Sequence, residues 1–266
     1  MKKAIISRLG AGHPWAGSLE YHEAIDSTNI RAARLAAQGA PHGTVILADS
    51  QYAGKGRMGR SFHSPAGKGI YMSVLLRPCC HASALMHLTC AVAVAMCDAL
   101  EEATGLRPGI KWTNDLVAGR KKLGGILTET VLSADGQVEA AIIGIGINCC
   151  QQAQDFPEEL RHMATSLAEC TGKDMDRSAV AAAMIRKLHN MSQVLLRSKT
   201  QILASYEKDC ITLGQQVSVL RGAQVFYGKA VGLDADGGLL LQLSDGQTCC
   251  VSSGEVSIRG MYGYVN

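Results

Sequence analysis

Val138-Glu139-Ala140-Ala141-Ile142-Ile143-Gly144-Ile145-Gly146-Ile147-Asn148 reads as an apolar β-strand that ends in glycines at alternate positions. Side chains alternate across a strand, so Gly144 and Gly146 strip one face near its end and make room for a flat ligand. Asn148 is then placed to meet a base edge or a ribose. Close packing of backbone, as in a barrel, explains the same glycines without a ligand.

Working back from this strand, Ala134-Asp135-Gly136 is a hairpin signal, so a second strand, Leu123 to Val131, is expected to pair with it. A tight basic turn, Gly119-Arg120-Lys121-Lys122, precedes that strand, and Ile110 to Val117 reads as a third. Residues 83–103 place Leu85, Leu88, Val92, Met96 and Ala99 at helical spacing, which buries one face. Ile70 to Leu76, Thr44 to Ala48 and Leu19 to Ala24 are further strands, with Pro41-His42-Gly43 a turn. Asp26-Ser27-Thr28-Asn29 offers caps for a helix over about residues 28–38, with Leu35 on its apolar side.

Past Asn148, residues 166–170 and 178–210 are expected to be helical. From Leu213 the texture changes to short alternating strands (Gln216 to Leu220, Val225 to Leu233, Leu239 to Leu243, Thr248 to Val251) with turns at Asp236-Gly237-Gly238 and Asp245-Gly246. That is the pattern of a small β-barrel. The chain is expected to divide into residues 1–212 and a C-terminal unit of residues 213–266.

Bulk properties narrow the class. Hydrophobic residues make up 47% of 266 and charged residues 18%, which suits a folded chain and excludes a disordered one. A net charge of +3 is too mild to argue for nucleic acid. Met1 to Arg8 has too short an apolar core for a secretory signal. Pro78 to Cys97 has no charged residue and is long enough to span a membrane, but its Pro, His, Ser and Thr content favours a buried helix. None of the ten cysteines shows CxxC spacing. A reducing cytoplasm with buried free thiols is therefore expected rather than disulfides or a metal cluster at Cys79-Cys80-His81.

Four segments carry chemistry. Gln51 to Gly69 holds five glycines, with Gly54-Lys55-Gly56-Arg57-Met58-Gly59-Arg60 at its centre. Glycine lets backbone approach a ligand, and the cations suit phosphate or carboxylate. No Asp or Glu occurs from Ser50 to Cys97, so the loop's charge is not neutralised locally and the empty loop has little reason to settle. The Gly-Lys-Ser/Thr ending of a P-loop is missing. Lys111-Trp112-Thr113-Asn114-Asp115 gathers a cation, an indole, an amide and a carboxylate at a strand end, where Asp115 is a candidate Mg²⁺ ligand. Lys121-Lys122-Leu123-Gly124-Gly125 puts a lysine ahead of exposed backbone. Gly144 to Asn148 is the fourth.

In this order the motifs Gly-Lys-Gly-Arg-x-Gly-Arg, Lys-Trp-x-Asn-Asp, Lys-Leu-Gly-Gly-Ile-Leu and Gly-Ile-Gly-Ile-Asn resemble those of the biotin protein ligase family. Asp26-Ser27-Thr28-Asn29, Gln51 and Ser64-Pro65-x-Gly67 match as well, so the resemblance runs from about residue 19 to the end. It implies an α+β fold: a mixed sheet with helices, of the class II synthetase kind, followed by a small SH3-like β-barrel. It implies biotin and ATP as substrates with Mg²⁺, and transfer of biotin to a lysine of a biotin carboxyl carrier protein or domain. By the same resemblance Ser27, Thr28, Asn29, Gln51, Gly54, Lys55, Arg57, Gly125 and Gly144 serve biotin. Arg57, Arg60, Phe62, Lys111, Trp112, Asn114, Lys122, Gly146 and Asn148 serve ATP. Lys122, Arg57 and Asp115 stand at the reacting phosphate and carboxylate, with Asp115 holding the metal.

The chain departs from the family pattern at Lys55 (usually Arg), Thr113 (usually Pro) and Phe62 (often Trp), changes that bear on affinity more than on the reacting groups. About 18 residues precede the first strand, too few for the winged helix-turn-helix of the regulatory members. The expectation is an enzyme with no specific DNA target and no membrane attachment, and a homodimer is left open. A lipoate ligase, a DNA-binding repressor and an inactive binding module are the alternatives. Lipoate ligases carry an Arg-Arg-x-Ser-Gly-Gly-Gly pattern that is missing here. Residues 213–266 carry none of the ligand motifs, so support or carrier docking is expected of them.

Overall fold

The computed structural model describes residues 1–10, 12–221, 224–252 and 254–258. The run from Val138 to Asn148 is a central strand. β1 (Leu19–Ile25), β2 (Thr44–Gln51), β3 (Gly69–Leu76), β4 (Gly109–Lys111), β5 (Asp115–Ala118), β6 (Lys121–Leu132) and β7 (Val138–Asn148) form one sheet, in the order β1-β2-β3-β7-β6-β5-β4. The sheet is mixed: β1 and β2 are parallel and every other neighbouring pair is antiparallel.

Alternation along β7 decides what each face does. Ile143, Ile145 and Ile147 are buried in the main core with Met72, Val74 and Leu76 of β3. Over that face lie α3 (Leu88–Thr104), α5 (Arg177–Val194) and α6 (Lys199–Asp209), with α1 (Lys2–Leu9) packed against α5. On the opposite face α2 (Thr28–Ala37) buries Ala32 and Ala36 against Ile46, Leu75, Ala140 and Ile142. Toward the end of β7 that face continues as Gly144 and Gly146, which bring no side chains of their own and let Asn29 of α2 and Phe62 approach the strand. The isoleucines therefore anchor the strand in the core while the glycines leave space on the other side.

The helical run Ala82–Thr104, which ends in α3, is long and apolar enough to cross a membrane, but 67% of its most apolar window is buried within the protein. It is a core helix, as its Leu88, Val92, Met96 and Ala99 periodicity requires.

Two segments differ from the sequence reading. Ile110 to Val117 is not one strand. β4 and β5 pair antiparallel, with Lys111 opposite Asp115, so the chain reverses at residues 112–114. Residues 178–210 are not one helix either. α5 ends at Val194, and the Leu195 carbonyl accepts from His87 Nε2 at 2.9 Å before α6 begins at Lys199. A short α4 (Leu167–Thr171) precedes them, and α1 occupies a segment for which no element was expected.

The C-terminal unit is an antiparallel sheet of β8 (Gln216–Arg221), β9 (Gln224–Leu233), β10 (Leu239–Gln242), β11 (Thr248–Val251) and β12 (Glu255–Ile258), ordered β11-β10-β9-β8-β12. β12 was not foreseen. Trp112 clamps this sheet to the first. Its backbone N–H donates to Thr212 Oγ1 at 2.8 Å and its indole N–H to the Gly237 carbonyl at 2.9 Å. The indole, expected beside the nucleotide, has its one donor committed to the C-terminal unit, and Trp112 is 4% exposed.

Candidate active site

The bare face of β7 opens into a cavity of about 300 Å³, which suits a small ligand. Every residue assigned to a ligand from the sequence, except Gly54, lines it. Gly54 packs beneath the loop instead. A Cβ there would lie 2.6 Å from the Phe62 carbonyl, so glycine is needed for the loop to fold back on itself. The closure is fixed by the Phe62 N–H donating to the Gly54 carbonyl at 2.9 Å.

One end of the cavity is neutral and polar. Ser27 is the N-cap of α2, yet its side chain makes no capping hydrogen bond, so its hydroxyl stays available to a ligand, unlike that of most capping serines. Gln51 Oε1 accepts from the Thr28 N–H (2.9 Å) and hydroxyl (3.1 Å), while Gln51 Nε2 donates to Ser64 Oγ (3.0 Å). The buried Ser73 hydroxyl sits 2.6 Å from Asn29 Oδ1 and 2.8 Å from Thr28 Oγ1, with its one proton shared between them. Buried polar groups so partnered hold fixed orientations. Ser64 and Ser73 were not singled out as site residues.

The other end is cationic. Lys122 Nζ lies 2.6 Å from Asp115 Oδ1, an ion pair made across the β5–β6 hairpin. Gly125 lies beside it: an added Cβ would lie 3.4 Å from Lys122 Cε and 3.5 Å from its Nζ. Lys111 is 6% exposed, and Arg60 lies on the outer rim. Arg57 reaches in from the loop and donates to Asn114 Oδ1 at 2.7 Å and to the Gly254 carbonyl at 3.1 Å. The Asn114 amide in turn donates to the Ile126 carbonyl at 2.9 Å. Asn148 Nδ2 donates to the Thr165 carbonyl (3.0 Å), and its Oδ1 accepts from Gln151 Nε2 (3.2 Å). It holds residues 149–166 against the strand end rather than presenting a free edge.

Two expectations are corrected by tertiary contacts. One of the loop's cations, without an acid nearby in sequence, finds one in the fold, because Lys55 Nζ pairs with Glu129 Oε1 at 2.8 Å. Glu129 follows the loop in sequence by far too much for a local reading to find it. The C-terminal unit also does not stand clear of the site. Gly254 and Val256 line the cavity, and Gly254 accepts from Arg57.

Phe62 packs directly on the bare strand. A Cβ on Gly146 would lie 2.5 Å from Phe62 Cε1, and Tyr71 meets Phe62 edge-on at 6.3 Å between ring centres. Gly146→Ala is therefore expected to push the ring from its seat. If Phe62 stacks on the adenine, the KM for ATP rises about three- to tenfold, the scale of one aromatic pair, while biotin binding without ATP is kept. Steady-state kinetics beside calorimetry with biotin alone check this, and an unchanged KM for ATP would remove Phe62 from the nucleotide site.

Comparison with known proteins gives the family. Residues 21–148 match the Biotin/lipoate A/B protein ligase family, and residues 212–259 match the Biotin protein ligase C terminal domain. The chain is 40% identical over 229 residues to the bifunctional ligase/repressor BirA of Bacillus subtilis, an alignment covering 86% of this chain and 70% of that one. It is 33% identical over 254 residues to a biotin–[acetyl-CoA-carboxylase] ligase of Mycobacterium tuberculosis, covering 93% and 91% of the two. Among solved structures, the biotin protein ligase of Aquifex aeolicus in complex with biotin and ATP superposes with a TM-score of 0.77. Its sequence identity is 34%, and 91% of this chain and 98% of that one are covered. The chain belongs to the biotin protein ligase family.

Proposed function

We propose that this cavity activates biotin with ATP to biotinyl-5′-AMP and passes the biotinyl group to a specific lysine of a biotin carboxyl carrier protein or domain. The observation that carries this reading is the cavity's polarity. Neutral donors and acceptors at Ser27, Thr28 and Gln51 suit a ureido ring, and the wall at Ile126, Leu127 and Gly144 suits an aliphatic chain. Lys122 and Arg57 suit a carboxylate meeting a phosphate.

Both reacting groups are anions, so their approach needs fixed positive charge. Lys122, oriented by Asp115, is placed to screen the biotin carboxylate and the α-phosphate and to stabilise the crowded phosphorus. A biotin carboxylate oxygen attacks the α-phosphorus and pyrophosphate leaves; the carrier amine then attacks the mixed-anhydride carbonyl, AMP departs, and the amine gives up its proton to solvent. No protein nucleophile is required. Among the described residues no cluster of three His, Cys, Asp or Glu could by itself hold a metal. One carboxylate beside a phosphate site does fit Mg²⁺, which is commonly held by one or two carboxylates and nucleotide oxygens. Asp115 is the residue that would hold it, and the bound ion would supply further charge neutralisation at the phosphates. The ten unpaired cysteines support a reducing, cytoplasmic setting. We place the domain boundary near residue 213.

Purified protein incubated with labelled biotin, ATP, Mg²⁺ and a carrier domain is expected to label one carrier lysine and to release AMP and pyrophosphate. Label transferred from lipoate but not from biotin would overturn the reading. Arg57→Gly is expected to form the adenylate but release it early, because the loop loses its grip on Asn114 and on the phosphate. Biotin should then appear on unrelated proteins, and a blot free of such off-target label would refute this role for Arg57.

A further inference from the structure

We propose that Glu129 is a positioning residue that ties the glycine-rich loop to the floor of the biotin pocket. This rests on the reading of the cavity as the biotin and ATP site. Glu129 lies on β6 and divides its two oxygens between two elements. Oε2 accepts from Asn29 Nδ2 of α2 at 2.8 Å, and Oε1 accepts from Lys55 Nζ of the loop at 2.8 Å. Asn29 in turn meets Ser73 of β3 at 2.6 Å. One connected chain therefore runs from β3 through α2 and β6 to the loop that covers the cavity.

The chemistry of the pair explains why a carboxylate is needed. An ionised carboxylate only accepts, so it serves two donors at once. A glutamine offers one acceptor and one donor group, and must turn its NH₂ toward either the Asn29 amide or the Lys55 ammonium. The arrangement also fixes Asn29. With its NH₂ on Glu129, its oxygen faces Ser73 and the ligand floor beside Gly144. Burial raises the Glu129 pKa, but the hydrogen bonds from Lys55 and Asn29 outweigh that and hold it below the ordinary value, so the carboxylate is charged at neutral pH.

The tether divides the work of the loop cations. Lys55 is a single ammonium already committed to Glu129. Among the described residues Arg57 bonds to neutral oxygens, those of Asn114 and Gly254. Arg57 is thus a cation free of any carboxylate among the described residues and able to turn to a phosphate, while Lys55 sets how closely the loop lies on the biotin end. The competing reading is an ordinary surface ion pair of little consequence, since the two side chains are 42% and 37% exposed.

The test uses the full chain with Glu129→Gln, Glu129→Ala, Lys55→Met, Lys55→Arg and the double variant Lys55→Met/Glu129→Gln. Three readouts are needed: release of preformed biotinyl-adenylate, the KM values for biotin and ATP against kcat, and amide exchange over residues 54–62 without ligand. Glu129→Gln and Lys55→Met are each expected to speed adenylate release by about threefold to fivefold, the scale of one half-exposed ion pair, and to speed loop exchange. The double variant should release no faster than the worse single one, because both changes break the same link. Lys55→Arg should retain slow release. Glu129→Ala, which also frees Asn29, should raise the KM for biotin more than the KM for ATP or the loss in kcat.

Wild-type release and exchange in Glu129→Gln, or additive losses in the double variant, would overturn the tether. Lys55→Met changes only an exposed loop side chain, so it keeps the test decisive should Glu129→Ala fail to fold. A wild-type protein that makes no adenylate would instead overturn the function reading, and ligand-free exchange would still decide the tether by itself.

Discussion

Lys122→Ala is expected to cut biotin-dependent pyrophosphate release by about two orders of magnitude or more, the scale of removing one preorganised electrostatic group. Two effects add. The ammonium that screens carboxylate from phosphate is lost, and the Asp115 carboxylate, 2.6 Å away in the wild type, is left without its partner in the site. That carboxylate then faces two anionic substrates with only the ion it would hold to offset its charge. Lys122→Arg keeps the charge but not the compact point charge at that position, and should recover only part of the rate. Asp115→Asn should cost less than Lys122→Ala, because the amide still orients the ammonium through its oxygen. Pyrophosphate release at saturating biotin and ATP is the measurement. A wild-type rate in Lys122→Ala would mean that the reacting cation lies elsewhere, with Lys111 and Arg57 the next candidates.

Gly144→Ala is expected to raise the dissociation constant for biotin about ten- to a hundredfold, the range set by breaking one buried hydrogen-bonded group. The added Cβ would lie 2.1 Å from Asn29 Oδ1, 2.7 Å from its Cγ and 2.8 Å from its Nδ2. Asn29 is only 4% exposed and is held by Ser73 and Glu129. It cannot swing aside without abandoning both, so the methyl group displaces the polar floor rather than nesting beside it. Calorimetric titration with biotin alone isolates the effect from the nucleotide. Wild-type affinity would show that the floor of the biotin pocket is not built on Asn29, and would weaken the assignment of this end of the cavity to the ureido ring.

These two positions illustrate what was legible before the fold was known. Gly144 and Gly146 announce a bare strand face through alternation alone, since a two-residue period assigns each side chain to a face whatever the neighbours are. Lys122 precedes a glycine pair, and the loop's cations sit among glycines. These are local facts of composition and backbone freedom. The strands around them, the core helix at 88–104 and the C-terminal run of short strands follow from periodicity in the same way. The breaks at residues 112–114 and 195–198 do not. Residues 178–210 contain no glycine or proline to end a helix. The chain turns there because α5 and α6 must each pack on α3, and because the Leu195 carbonyl finds a donor in His87.

The sequence by itself therefore determined which residues could do the chemistry and which strand faces would bury. Tertiary structure alone decided their partners. Glu129 is 74 residues from Lys55 and 100 from Asn29. Gly254 is 197 residues from the Arg57 it receives. Local patterning reports propensity and periodicity over a few turns, whereas an ion pair or hydrogen bond acts over a few ångströms regardless of chain separation. The loop between Gln51 and Gly69 is basic with no acid of its own, and only the sheet register that brings β6 beneath it supplies the carboxylate.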